Sequence, residues 1–167
     1  MTRMQRLAAN LFRDWFQLRR RFPAAALDEI AQAIARGERR HRGEVRLALE
    51  SRLHPWAVLQ GWDAAARARQ AFTLLRVWDT EHNNGVLLYV LMAERRIEIV
   101  ADRGIARRVD ASEWSAICAR MRDGFARGAW RAGALQGIAD VHAVLARHFP
   151  GDGGERLDEL PDSPVLL

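Results

Sequence analysis

The sequence predicts an α/β fold: a small mixed β-sheet, an antiparallel hairpin plus at least one further strand, sandwiched by helices. Three observations carry this reading. Residues 86–92 form an unbroken apolar run, as a strand covered on both faces does. Residues 97–101 follow after a turn of about three residues, too short for a crossover, so the two runs pair as a hairpin turning at "AERR". Apolar residues on both sides of this pair recur at steps of three and four, the period of helices that cover a sheet.

Taken in order, Met4, Leu7, Ala8, Leu11, Trp15, Leu18 and Phe22 stand at helical steps with Arg between them, which predicts one basic amphipathic helix over residues 1–22. Pro23 breaks it and opens a second helix, with Leu27, Ile30, Ala31 and Ile34 on one face. Asp28 and Glu29 near its start and Arg36, Arg39, Arg40 and Arg42 towards its end suit the helix dipole. "GEVRLALE" then alternates Val45, Leu47 and Leu49 with Glu44, Arg46 and Glu50, as a half-buried strand does.

Residues 63–78 put Ala68, Ala71, Phe72, Leu75 and Trp78 on one helical stripe that leads into the loop before the hairpin. Asp110 and Glu113 have the spacing of a capping box, ahead of Trp114, Ile117, Cys118, Met121 and Phe125. A last helix runs from Trp130 to His148, where Gly133 and Gly137, one turn apart, point to a close neighbour. Residues 23–150 thus read as one α/β domain, and the Gly-, Pro- and acid-rich residues 151–167 as a flexible acidic tail.

Charge narrows the function. All 26 basic residues are Arg, which excludes Schiff-base and phosphate-loop lysine chemistry. Residues 1–22 hold six Arg and one Asp, while residues 23–167 hold 20 Arg and 20 acids, so the net charge of +5 lies wholly in the first segment. That distribution argues against nucleic acid as a partner and for a local basic arm facing a protein or an acidic membrane surface. The longest apolar run is far short of the roughly 18 residues of a bilayer span, and the N-terminus lacks a signal-peptide core, so no transmembrane segment or export is expected. A lone Cys118 fits a reducing compartment; the expected location is cytoplasmic, peripheral to the inner membrane.

Candidate site residues gather where the hairpin brings its two flanking loops to one end of the sheet. That end, where Gly85 lies across from about Gly104, collects Asp79, Glu81, His82, Asn83, Asn84, Asp102, Arg103, Arg107, Arg108 and Asp110. Loop carboxylates and amides suit calcium or magnesium, with Asp79, Asn84, Asp102 and Asp110 as candidate ligands. Arg beside a helix N-terminus suits phosphate or carboxylate instead. Elsewhere, Ser51 and His54 lack an acidic orienter for a hydrolase triad, His142 sits on an apolar face, and Cys118 reads as a packed thiol.

The stretch "RVWDTEHNNGVLLYVLMAERRIEIVADRGI", with Asp110, the Trp114 helix, "AGALQGIADVHAVLARHFP" and, upstream, "FPAAALDEIAQAIARGERRHRGEVRLALE", resembles the TPM-domain family, in its short, signal-less bacterial branch. The resemblance spans residues 22–150. It implies a mixed sheet between helices, and functions that range from acid phosphatase or nucleotidase activity and divalent-cation binding to photosystem repair and service as an auxiliary membrane-protein subunit. Matched by position, it assigns the pocket to Asn83, Asn84, Gly85, Asp102 and Asp110. Many members carry Asp-Asn-Gly where this chain has Asn83-Asn84-Gly85, and Gly-aromatic-Gly where it has Asp102-Arg103-Gly104. The missing carboxylate weakens the case for metal-assisted hydrolysis. The expectation is therefore a binding or accessory protein with a pocket at loops 79–85 and 102–110; a cation-dependent phosphatase or nucleotidase using that pocket is the alternative.

Overall fold

A computed structural model describes residues 1–12, 15–151 and 158–167. Its framework is a four-stranded sheet in the order β3-β2-β1-β4. β1 (Glu44–Glu50) runs parallel to β2 (Gly85–Leu91), with Glu44 opposite Gly85 and Glu50 opposite Leu91. β2 pairs antiparallel with β3 (Arg96–Ala101), Val86 opposite Ala101 and Leu91 opposite Arg96. The expected hairpin is therefore present, and its turn is at residues 92–95, where Arg95 takes a φ of 51°.

Helices cover both faces, giving the expected α/β sandwich. On one face Val45, Leu47, Leu49, Val86, Leu88 and Val90 meet α2 (Trp15–Arg21), α3 (Ala24–Glu38), α7 (Ala111–Ala126) and α8 (Trp130–His148). On the other, Ala48, Leu87, Tyr89 and Leu91 meet α4 (Pro55–Leu59) and α5 (Ala64–Leu74). Alternation along each strand feeds the two layers, which is why residues 86–92 are apolar throughout. At the α7–α8 contact a Cβ on Gly137 would come within 2.2 Å of the Met121 sulfur, so the small residues do allow close approach.

Several expectations are corrected. β1 is buried on both faces: Glu44 and Glu50 are enclosed, and Glu50 accepts hydrogen bonds from Tyr89 Oη at 2.5 Å and Arg67 Nε at 2.8 Å. Its acidic positions alternate because they carry polar bonds in the second layer. Trp78 lies beyond the end of α5 and is exposed, because the helix closes at Leu75 and Arg76 adopts a φ of 54°. The capping box does not close: Asp110 caps Ser112 N at 2.8 Å, but Glu113 reaches across to Arg147 at 2.6 Å and His148 at 2.9 Å.

The N-terminal segment holds two helices, α1 (Arg3–Phe12) and α2, with Arg13 and Asp14 outside the described residues. At the other end, residues 152–157 of the proposed tail also fall outside them. Its final residues pack on the domain: Leu160 is buried, and β4 (Val165–Leu166) pairs parallel with β1, so Val165 lies beside Ala48. The Gly- and Pro-rich composition hid a short apolar "VLL" able to complete the edge of β1.

Candidate functional site

Two loops meet at the end of the sheet where β1 and β2 begin. Residues 79–84 enter β2, and residues 102–110 leave β3 through the short helix α6 (Arg103–Ala106). Backbone bonds lock the loops together: Asp102 N donates to Gly85 O at 2.8 Å, Gly104 N to Asn83 O at 3.1 Å, and Glu44 N to Asn84 O at 3.0 Å. Glycine is required at two of these contacts. A Cβ on Gly85 would sit 2.0 Å from the Val77 carbonyl oxygen, and one on Gly104 2.5 Å from that of Asn83. Asn83 itself has a φ of 51°, the left-handed region in which Asn is among the better-tolerated side chains.

The side chains at this end divide into two groups. Most are occupied by local structure. Asp79 is exposed and pairs with Arg76 at 3.3 Å. Asn83 Oδ1 accepts from Arg103 Nε at 2.8 Å. The backbone N–H of Glu81 donates to the Glu159 carboxylate at 3.1 Å. Asp110 is the N-cap of α7, and its hydrogen bonds from Ser112 hold its carboxyl below the usual carboxylate range. Two groups retain an unused acceptor. Asp102 caps α6 through Oδ1, bonded by Arg103 N at 2.6 Å, while its Oδ2 is buried with no hydrogen-bond partner. Asn84 Nδ2 donates to the Arg42 carbonyl, and its Oδ1 is likewise buried and unpartnered.

Asn84 borders a cavity of about 300 Å³ lined also by Arg42, His82, Gly104, Ile105, Arg108 and Phe149. The Arg108 guanidinium lies 5.5 Å from the centre of the Phe149 ring, a contact that steadies this cation in the cavity lining. The structure thus brings Asn84 and the start of the 102–110 loop to one cavity, and leaves Asp79 and Asp110 in separate roles.

Of the lining residues, His82 and Arg108 were expected at this end, and sequence reasoning missed Arg42 and Phe149. Only the parallel pairing of β1 with β2 and the return of α8 bring them there. It also missed a carboxylate cluster. Among the described residues, Glu38, Glu44 and Asp158 are the one set of three such ligand-bearing side chains whose atoms all lie within 4.8 Å; Asp79, Asp102 and Asp110 do not form one. Glu38 and Glu44 are buried and each takes a backbone amide, Val45 N at 2.6 Å and Leu160 N at 3.3 Å.

Comparison with known proteins agrees with this architecture. The family model described as "TPM domain" matches residues 20–144. Among solved structures, the BA42 protein from the psychrophilic bacterium Bizionia argentinensis superposes with a TM-score of 0.77 at 28% identity, covering 87% of this chain and 95% of that one. The N-terminal domain of a protein from P. gingivalis gives a TM-score of 0.61 at 20% identity, over 78% of this chain and 82% of that one, a likeness of fold. No curated protein matches.

Proposed function

The chain belongs to the TPM-domain family, and we propose that within it this protein is a binding or accessory module rather than a hydrolase, holding a small anion in the cavity between loops 79–85 and 102–110. The observation that carries this reading is the lining: Arg42, His82 and Arg108 line the cavity together with Asn84, residue types that bring cations and hydrogen-bond donors. Phosphate or carboxylate is the chemistry such a wall holds best. We read the module as cytoplasmic, on the lone Cys118.

Metal-assisted phosphate-ester hydrolysis needs a cation held by several anionic oxygens and a water placed to attack. Asp79 and Asp110 serve other partners, and Asn83 gives a neutral oxygen already bonded to Arg103. The alternative, a phosphatase or nucleotidase using calcium or magnesium, draws its support from the two unpartnered oxygens, Asn84 Oδ1 and Asp102 Oδ2.

Titration with inorganic phosphate and with acetate, followed by amide chemical shifts, separates the readings. Shifts confined to residues 42, 82–85 and 104–108, with affinity falling at least about tenfold in Arg108→Ala, are the expected result. Calcium is expected to bind weakly in the same experiment. Asn83→Asp tightens calcium only when combined with Arg103→Ala, because Arg103 otherwise pairs with the new carboxylate. Robust hydrolysis of p-nitrophenyl phosphate that needs calcium or magnesium and is abolished by Asn84→Ala would defeat the binding-module reading and establish the enzyme.

A further inference from the structure

Helix α1 is mounted with its polar side inward. Arg6 Nε pairs with Glu94 Oε2 at 2.8 Å, and Arg6 Nη2 donates to the Trp62 carbonyl at 2.5 Å. One turn on, Asn10 is fully buried; it donates to Glu94 Oε1 at 2.9 Å and accepts from Leu53 N at 2.7 Å. Positions 6 and 10 therefore define the inward side of the helix. Among the described side chains of α1, Leu7 is the larger apolar residue that reaches the core beside β2.

The rest of the apolar stripe faces out. Met1 is 69% exposed, Met4 75% and Leu11 52%, and Ala8 between them is exposed too. An amphipathic helix on a globular domain ordinarily turns this stripe to the core. Here the clasp on Glu94 fixes the opposite orientation. Packed against α1, α4 leaves Trp56 62% and Leu59 41% exposed, three residues apart and so on one side of that helix. Within residues 1–12 and 51–62 the charges are Arg3, Arg6 and Arg52, with no Asp or Glu.

We propose that the outward stripe of α1, with Trp56 and Leu59 of the neighbouring α4, docks in the plane of an anionic lipid surface. This surface is distinct from the cavity and does not depend on what the cavity binds. An exposed apolar stripe whose charged neighbours within residues 1–12 and 51–62 are Arg suits a bilayer interface, which takes up apolar side chains without a complementary groove and attracts Arg to its headgroups. Trp is at home at that depth, with its ring body apolar and its N–H wet. A second copy of this chain is disfavoured, since it would bring Arg3 and Arg52 against the same two residues.

Co-sedimentation of the full chain with vesicles tests the assignment. Binding is expected to an equal mixture of phosphatidylcholine and phosphatidylglycerol at low salt, to weaken as salt rises, and to be absent with phosphatidylcholine alone. The double substitution Met4→Glu, Leu11→Glu alters exposed positions only; it is expected to lower binding at least about tenfold with the urea midpoint unchanged. Quenching of tryptophan fluorescence by brominated lipid is expected to fall in Trp56→Phe, an independent readout of contact. Failure to bind the mixed vesicles, or binding that the double variant retains in full, overturns the proposal. So does a concentration-dependent dimer that the double variant abolishes, which would give the stripe to a second copy.

Discussion

Substituting Asn10 by Ala tests whether a single buried amide fastens α1 to the domain. Asn10 Oδ1 takes the buried N–H of Leu53 at 2.7 Å, and its Nδ2 bridges Glu94 Oε1 at 2.9 Å and the Arg6 carbonyl at 2.8 Å. Alanine leaves the Leu53 N–H without an acceptor, at about 1–3 kcal/mol, and removes a charge-assisted bond of about 1.5–3 kcal/mol from Glu94, which keeps Arg6. Allowing for relaxation, the expected loss is about 2–4 kcal/mol. With a urea slope of about 1–3 kcal/mol/M, the unfolding midpoint falls by about 1–2 M. Amide exchange distinguishes global from local loss, since release of α1 alone would deprotect residues 3–12 ahead of the sheet. Asn10→Asp sharpens the test. It preserves the acceptor for Leu53 but sets a second carboxylate against Glu94, which favours keeping a proton in the folded state. The folded chain then binds more protons than the unfolded one, so the variant regains stability as pH falls through the carboxylate range. A midpoint shift worth less than about 0.5 kcal/mol in Asn10→Ala, together with unchanged exchange in α1, would refute the clasp.

Gly85→Ala is expected to cost about 3 kcal/mol or more by urea unfolding, because its Cβ would meet the Val77 carbonyl oxygen at 2.0 Å and only backbone movement relieves that. Tyr89 is the sole tyrosine, so absorbance titration reports on it alone. Burial, then the neighbouring Glu50 carboxylate, push its phenol well above the ordinary value of 10.0. The unfolded chain therefore ionises first, stability declines as pH rises above about 10, and phenolate is expected to appear together with unfolding rather than before it. Burial, with Glu98 adding to it, pushes the Cys118 thiol from 9.0 to about 11, so alkylation near neutral pH is expected to run at least about tenfold slower than in the urea-unfolded chain.

The parts of the fold legible in the sequence are those governed by local period. The apolar run of β2, the short turn to β3 and the stripe of α7 each state their partner face within a few residues. Period alone could not state what covers a strand's second face. Glu44 and Glu50 read as solvent-facing because charge is the usual mark of exposure, yet one receives the backbone of the C-terminal segment and the other the Arg67–Tyr89 pair. The same limit applied to α1, where Met4 and Leu11 have the right spacing for a core face, yet Asn10 is the residue buried and Arg6 the one half-buried beside it. At the candidate site, the two loops could be brought together from the hairpin register. Arg42 and Phe149 could not, since a separate chain reversal delivers each of them.

The acids of this sheet end illustrate how its rigidity is obtained. Glu38 closes α3 and receives Val45 N; Glu44 opens β1 and receives Leu160 N; the Asp158 carboxylate of the C-terminal segment lies within 4.8 Å of both. Each glutamate thus joins its own element to backbone from the next segment, and a charge-assisted bond of this kind is stronger than a neutral one. Because Glu44 also donates its own N–H to Asn84 O, the position of the 79–85 loop is set from beneath by β1 as well as from the side by Asp102 and Gly104. The cavity wall at Asn84 is consequently held by two separate stretches of chain, the start of β1 and residues 102–104. A cavity fastened in this way would need little rearrangement to receive the small anion proposed for it, and preorganisation of that kind lowers the cost of association.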